Sequence, residues 1–373
     1  MTWLFWIAAV LVAYTYAGYA GWLRLRLLWR FQPILRGAIT PAVSVVMVVR
    51  NEETVLETKL QNLLSLDYPE GQLQIVVVSD GSSDGTEQIL RQFSLDSRVH
   101  VVLNQFSKGK AAGLNDALEV TRGELLVFTD ARQKIEHSAI RLLAENFADP
   151  NVGCASGELM LGDPESGESG KGYGLYWRIE KTIRELESAS GSVVGATGAL
   201  YAARRELLTS VPAGTILDDV YLPMQIARQG KRVVFDDRAI AWDTPNLGAE
   251  REFSRKVRTL SGNYQLVQLA PWLLGSANPI RFEFVSHKLL RLAVPVALAV
   301  LLLISPLVKS PFYRAMFIAQ VVFYGLSLIS LARLAKRGVL ARVADAAGTF
   351  VLLNGAAVVA LVNFISGKRA AWR

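Results

Sequence analysis

Leu73-Gln74-Ile75-Val76-Val77-Val78-Ser79-Asp80-Gly81-Ser82-Ser83-Asp84-Gly85-Thr86 is the stretch that decides the fold. Residues 73–78 are almost continuously apolar and β-branched, which suits a strand covered on both faces. The run stops at Ser79-Asp80, and the glycines that follow let the chain turn sharply. Ser83 or Asp84 can then cap a helix over Thr86–Phe93. A buried strand, a tight turn and a helix make the repeating unit of a parallel sheet. Ligands in such sheets bind at the C-terminal ends of the strands. Asp80 therefore stands where a ribose or a base edge would be met, although an ordinary strand-turn-helix link has the same composition.

The unit recurs on both sides. Residues 43–49 are a second apolar run, followed by Leu56, Leu60, Leu63 and Leu64 at helical spacing. Residues 99–103 and 124–128 read as strands, and 111–120 and 138–147 as helices. Four such alternations predict an α/β fold, a mostly parallel sheet with helices on both faces. From Val152 the alternation fails. Residues 162–174 read as loop. Residues 176–188 read as a helix with Ile179, Ile183 and Leu186 on one face. Gly195-Ala196-Thr197-Gly198 turns into a strand at 199–203, and 232–235 reads as another strand.

Composition narrows the class. A single cysteine, Cys154, excludes an internal disulfide, and three scattered histidines leave no zinc-like cluster. The hydrophobic share of 51% and the mean hydropathy of +0.28 call for membrane spans. Residues 2–23 carry no charge and are long enough to cross a bilayer. Arg24, Arg26, Arg30 and Arg36 come after this run, which suggests an uncleaved anchor with its C-terminal side in the cytoplasm. The interleaved Leu25, Leu27, Leu28, Trp29 and Phe31 suggest an amphipathic segment at the membrane surface. Residues 292–308, 315–332 and 346–367 are further uncharged spans, and 271–287 reads as interfacial.

The net charge of +7 gathers beside these spans, at Arg333, Lys336, Arg337 and Arg342 among others, which favours a lipid bilayer over nucleic acid as partner. The expected organisation is a span at 1–23, a basic juxtamembrane segment at 24–40, a cytoplasmic domain at 41–268, an interfacial segment at 269–288, about three spans at 289–367 and a basic tail at 368–373. A transporter is disfavoured, because no charge lies inside these spans and no repeat relates them.

The chemistry-bearing residues sit at strand ends. Arg50-Asn51-Glu52-Glu53 follows the first strand, and Glu52 suits either a first helical turn or a nucleoside contact. Ser107-Lys108-Gly109-Lys110 offers two ammonium groups before a helix, for phosphate or for solvent. Its glycine spacing is not that of a P-loop. Thr129-Asp130-Ala131-Arg132 follows the fourth strand, where Asp130 could hold a divalent metal bridging a diphosphate. Ile216-Leu217-Asp218-Asp219 precedes a helix and reads either as an acidic cap or as a carboxylate offered to substrate.

Taken in order, Val45–Glu53, Ser79–Thr86, Gly109–Asn115, Phe128-Thr129-Asp130, Gly195–Tyr201 and Leu217-Asp218-Asp219 resemble the family 2 glycosyltransferases, which have a GT-A nucleotide-diphospho-sugar fold. The likeness spans residues 43–265, and the flanking spans resemble the membrane-integrated synthases of cellulose, chitin, hyaluronan and poly-N-acetylglucosamine. The resemblance implies a UDP-sugar donor, a glycan or lipid-linked acceptor and a bacterial inner (plasma) membrane location. It implies that Asp80 contacts uridine, that Arg50, Glu52 and Lys110 support the nucleotide, and that Asp130 holds Mg2+ or Mn2+ at the diphosphate. Asp219 would be the general base of an inverting transfer. Asp218, Gly198 and Trp177 would lie on the acceptor side.

Two departures stand out. Arg132 replaces the second acid of the family's Asp-x-Asp, and could neutralise diphosphate directly or point to solvent. Arg255-Lys256-Val257-Arg258-Thr259 occupies the place of the Gln-x-x-Arg-Trp motif of processive synthases. It keeps only the Arg, as Arg258, for the nucleotide, within a basic cluster that includes Arg251. These departures leave open an alternative, a catalytically weak sugar-nucleotide-binding component of a polysaccharide synthesis or export complex.

Overall fold

The computed structural model describes residues 1–162, 175–243, 249–332 and 338–368. The loop expected at 163–174, the basic positions Arg333, Lys336 and Arg337, the tail residues Arg369 and Arg373 and the side chain of Arg251 lie outside the described residues.

Eight strands form one mixed sheet: β1 Val43–Val49, β2 Leu73–Asp80, β3 Val99–Asn104, β4 Leu125–Phe128, β5 Lys134–Ile135, β6 Val152–Leu161, β7 Tyr201–Arg204 and β8 Arg232–Asp243. Their order is β3-β2-β1-β4-β7-β6-β8-β5. In β2 the odd residues Ile75 and Val77 enter a core with Val45, Met47, Leu60 and Leu90. The even residues Val76 and Val78 enter a second core with Val46, Val48, Leu114 and Ala117. This two-sided burial is why the run is continuously apolar, and each buried valine contributes roughly 1.5–3 kcal/mol. The four strands β3-β2-β1-β4 are parallel, as the alternation predicts, so Asn104, Asp80, Val49 and Phe128 end on one edge.

Beyond β4 the sheet turns antiparallel at β7, with Phe128 opposite Tyr201. An antiparallel neighbour starts where β4 ends, so the Gly195–Gly198 turn that precedes β7 lands on the same edge. Strand β6 runs antiparallel to β7 and parallel to β8, which brings the C-terminal end of β8, Asp243, to this edge as well. Strand β6 is absent from the sequence reading, because its Gly, Ser and Glu break the apolar run. Ser156 and Glu158 are buried against partners instead, with Arg184 Nη2 donating to Ser156 Oγ at 2.5 Å and Lys181 Nζ to Glu158 at 2.7 Å. Strand β8 runs eight residues past the expected 235, because Asp236–Arg238 sit at a register irregularity and the strand resumes at Ile240.

Among the described residues, four helices are long and apolar enough to cross a membrane: Thr2–Arg26, Arg281–Leu307, Pro311–Leu331 and Val339–Ile365. Residues 281–287, expected as interfacial, are the first turns of one helix that runs to Leu307, so Glu283, His287, Lys288 and Arg291 precede the uncharged run expected at 292–308 within the same candidate span. The N-terminal helix ends at Arg26, and residues 30–42 have no regular structure. Arg26 is buried, bonded to Glu283 and to Ser190, and Arg36 reaches Asn146 at 3.1 Å. Leu28, Trp29 and Phe31 remain exposed.

Candidate active site

The edge where the strands end carries a layered set of charges. Both carboxylate oxygens of Asp80, fully buried, accept hydrogen bonds from Ser107 Oγ at 2.6 Å, Lys108 N at 2.7 Å and Gly109 N at 2.9 Å. Gly81 makes this approach possible: its φ is +63°, and a Cβ there would stand 2.5 Å from Ser107 N. Asp80 is thus committed to the 107–109 loop. Oδ1 accepts only one of these bonds, so the carboxylate keeps acceptor capacity beyond the loop.

The loop it holds starts the helix Lys110–Val120, and so aims Lys110. Lys110 Nζ lies 3.0 Å from Asp130 Oδ1 and 3.4 Å from Asp218 Oδ2. Burial opposes the Lys110 charge, but Asp130, Asp218 and Asp219 outweigh it and hold the ammonium well above the ordinary lysine range. Glu52 joins the group from the end of β1. Burial raises its carboxyl above the usual range; Arg132 works against this, and Asp130 and Asp84 reinforce it. Arg132 itself is exposed at the cavity rim. Beneath the 129–133 turn, buried Lys59 donates to Thr129 Oγ1 at 2.9 Å and to Gln133 O at 2.6 Å. Arg50 Nε is buried without a hydrogen-bond partner among the described residues.

Asp218 and Asp219 open the helix Asp218–Arg228, but neither caps it; Leu217 holds the cap position and no side chain bonds there. Asp219 Oδ2 instead accepts from Gly198 N at 3.1 Å, and its carbonyl accepts from Ala196 N at 2.7 Å. A Cβ at residue 198 would stand 3.1 Å from that carboxylate oxygen, so glycine admits the contact. Burial first, then the Asp218 charge, pushes Asp219 up to about 6, against the pull of Lys110 and Lys288. A carboxylate so tuned accepts a proton near neutral pH. Asp218 pairs with Lys110, so it shares a charge group with Asp130.

A cavity of about 440 Å3 opens over these groups. Lys110, Asp130, Arg132, Gly198, Asp218, Asp219, Trp177 and Arg258 all line it. Arg50, Glu52 and Asp80 do not, and lie behind it at the strand ends. Trp177 faces Lys256, whose ammonium is 5.3 Å from the ring centroid.

Comparison with known proteins now bears on the fold. The family described as "Glycosyl transferase family 2" matches residues 44–211. Residues 44–211 belong to glycosyl transferase family 2. The beta-monoglucosyldiacylglycerol synthase of Trichormus variabilis is 26% identical over 202 residues, covering 52% of this chain and 43% of that protein. The poly-beta-1,6-N-acetyl-D-glucosamine synthase of Staphylococcus epidermidis is 23% identical over 235 residues, covering 62% and 56%. The chain spans about half the length of these curated relatives. Among solved structures, the mannosyltransferase PcManGT from Pyrobaculum calidifontis, in complex with GDP-Man and Mn2+, superposes with a TM-score of 0.76 at 23% identity. The match covers 98% of this chain and 99% of that one, so the GT-A-like sheet and its long apolar helices share one arrangement.

Around the family 2 domain, the structure adds residues that sequence reasoning missed. Asp243 ends β8, is buried, and accepts from Gln133 Nε2 at 3.3 Å and Arg255 Nη1 at 3.5 Å. Gln133 Oε1 and Asn263 Oδ1 line the cavity as buried acceptors without partners among the described residues. The cavity also continues past the domain, where Tyr16, His287, Lys288, Arg291, Leu353 and Asn354 from three candidate spans form its wall. Only the Asp243 strand end had a signal in the sequence, an acid closing an apolar Ala239–Trp242 run.

The donor set for a divalent cation is sparse. No cluster of three His, Cys, Asp or Glu side chains is present among the described residues. Asp130 engages Lys110 through one oxygen, and the other oxygen of its half-exposed carboxylate has no partner among the described residues. One carboxylate fits a cation that takes its remaining ligands from diphosphate and water, as Mg2+ commonly does.

Proposed function

We propose that this chain is a membrane-bound inverting glycosyltransferase that moves a sugar from a nucleotide-diphospho-sugar, a UDP-sugar in our reading, to a hydroxyl of a lipid-linked acceptor. One observation carries the reading: a single cavity joins the Lys110–Asp130 charge group, the tuned carboxylate of Asp219 and the side chains of three membrane-type helices. A donor that arrives from water and an acceptor that arrives from lipid would meet at Asp219. A relative named beta-monoglucosyldiacylglycerol synthase and a neighbour solved with GDP-Man and Mn2+ support the same class of substrates.

In this reading Asp219 takes the proton of the acceptor hydroxyl as its oxygen bonds to the anomeric carbon. The bond from that carbon to the diphosphate oxygen breaks with its electron pair on the diphosphate, and attack from the opposite face inverts the centre. Gly198 N–H orients the base, and Gly198 leaves room for it. Lys110 and Arg258 neutralise the departing diphosphate, Arg132 shields it from the rim, and Asp80 fixes Lys110 through the 107–109 loop. A divalent cation on Asp130 would supply further neutralisation of the leaving group. Trp177 offers a face for a sugar ring on the acceptor side. The four long helices hold the domain at a membrane, with the domain on the cytoplasmic side where sugar nucleotides are found.

The test is turnover by detergent-purified protein across a panel of nucleotide sugars with lipid and glycan acceptors, with product stereochemistry read by NMR. Inverted product on a lipid acceptor is expected. Transfer to soluble glycans alone would defeat the lipid assignment, and no turnover with any donor that binds would defeat the enzyme reading.

A further inference from the structure

The helix Arg281–Leu307 places Arg281, Glu283, His287, Lys288 and Arg291 in its first three turns, and Glu283, His287 and Arg291 have side-chain partners. Glu283 pairs with Arg26. His287 sits between two carboxylates, Nδ1 at 2.9 Å from Glu187 and Nε2 at 2.8 Å from Glu180. Arg291 Nη1 reaches the other oxygen of Glu180 at 2.6 Å. Glu187 is further occupied by Tyr19 OH at 2.7 Å and by Val194 N at 3.3 Å. From the neighbouring helix, Arg184 donates to Ser156 and stacks on Phe235 at 4.3 Å. The two carboxylates are therefore used up by His287, Arg291, Tyr19 and backbone.

Lys288 has no hydrogen bond or ion pair among the described residues, and it lines the cavity. An ammonium carried on a membrane-type helix is costly unless it finds a partner. Glu180 and Glu187 act on Lys288 electrostatically, and Lys288 in turn acts on Asp219, but none of these carboxylates is in ion-pair contact with it. An anion that enters the cavity would give Lys288 a direct partner. Lys110, not Lys288, neighbours Asp130, so the diphosphate end already has its own cation. Leu353 and Ala357 line the same cavity as Lys288 and add apolar surface, the setting of a hydrocarbon chain.

We propose that Lys288 anchors the phosphate of an anionic lipid that enters as acceptor, its chain lying toward Leu353 and Ala357. This rests on the lipid-linked acceptor reading above, and it narrows that acceptor from neutral to phosphate-bearing lipids.

The test measures equilibrium binding of farnesyl phosphate, farnesol and inorganic phosphate to the detergent-purified full chain without donor. Wild type should bind farnesyl phosphate about tenfold or more tighter than farnesol, the scale of one hydrogen bond to a charged group. Lys288→Gln should erase that preference, and Lys288→Arg should keep most of it. Equal binding of farnesol and farnesyl phosphate by wild type overturns the inference without any variant. So does an unchanged preference in Lys288→Gln. Inorganic phosphate that competes as well as farnesyl phosphate would mark a free-phosphate site and overturn the lipid assignment. Failure of the glycosyltransferase reading would appear separately, as absent donor turnover with lipid-phosphate binding intact.

Discussion

Replacing Asp219 by Asn removes a proton acceptor and keeps the outline of the side chain. The amide oxygen can still accept from Gly198 N–H, which lies 3.1 Å from Oδ2 in the native protein. If Asp219 is the base, the variant loses what general-base help provides, ~10²–10⁴ in kcat, or roughly 3–5 kcal/mol of barrier. Stability should move the other way. The folded protein holds this carboxyl at about 6 against an ordinary 3.8, chiefly through burial and Asp218. That displacement corresponds to roughly 3 kcal/mol of penalty on the ionised form. For a carboxyl raised on folding, the stabilisation is present below about 3.8 and is lost as pH rises through about 6. Asn carries no such cost. The variant should therefore melt several degrees higher than wild type at pH 8 and level with it near pH 3.5.

Two assays read this together. Donor-to-acceptor transfer by wild type should rise tenfold per pH unit below about 6 and flatten above it, whereas the variant stays low and flat. Thermal unfolding at the two pH values gives the stability arm. A variant that keeps kcat within tenfold of wild type, with the same pH profile, refutes Asp219 as base. A variant inactive but also less stable at pH 8 refutes the burial argument for its raised pKa.

Other perturbations probe the surrounding charges. Arg132→Asp should restore a second acid beside Asp130 and lower the Mn2+ concentration for half-maximal activity about tenfold, read by metal titration at fixed donor. Lys110→Met should raise the donor KM and move the pH midpoint of transfer above about 6, because Lys110 lowers the Asp219 pKa. An unchanged midpoint would mean that Lys110 does not act on the base. Glu283→Gln should destabilise by about 3–5 kcal/mol in thermal or denaturant unfolding, since it leaves Arg26 buried without its counter-charge. The Arg26→Met, Glu283→Leu double variant should recover most of that loss.

The parallel half of the sheet was legible because its chemistry is local. A run such as Ile75-Val76-Val77-Val78 needs apolar cover on both faces wherever it sits, and Gly81 and Asp84 announce the turn. The sequence by itself therefore determined the β1–β4 alternation, the four long apolar stretches and the positions of Asp80, Asp130 and Asp219 at segment ends. Strand β6 and the far half of β8 escaped, because Ser156, Glu158 and Asp236 are polar residues whose burial depends on Arg184, Lys181 and Asn146. Such pairing is long-range, and no local pattern encodes it.

Only the tertiary structure decided which carboxylate faces which cation. Asp80 turned inward to brace the 107–109 loop, Asp218 went to Lys110, and Asp219 was left against Gly198 and largely out of water. The same folding step carried Glu283, His287, Lys288 and Arg291 into a helix that composition marked as beginning only after them. Charge in a membrane helix is readable as a helix only once its partners are known, because the cost of burying it falls when a counter-charge from 100 or more residues away arrives, as Arg26 does for Glu283.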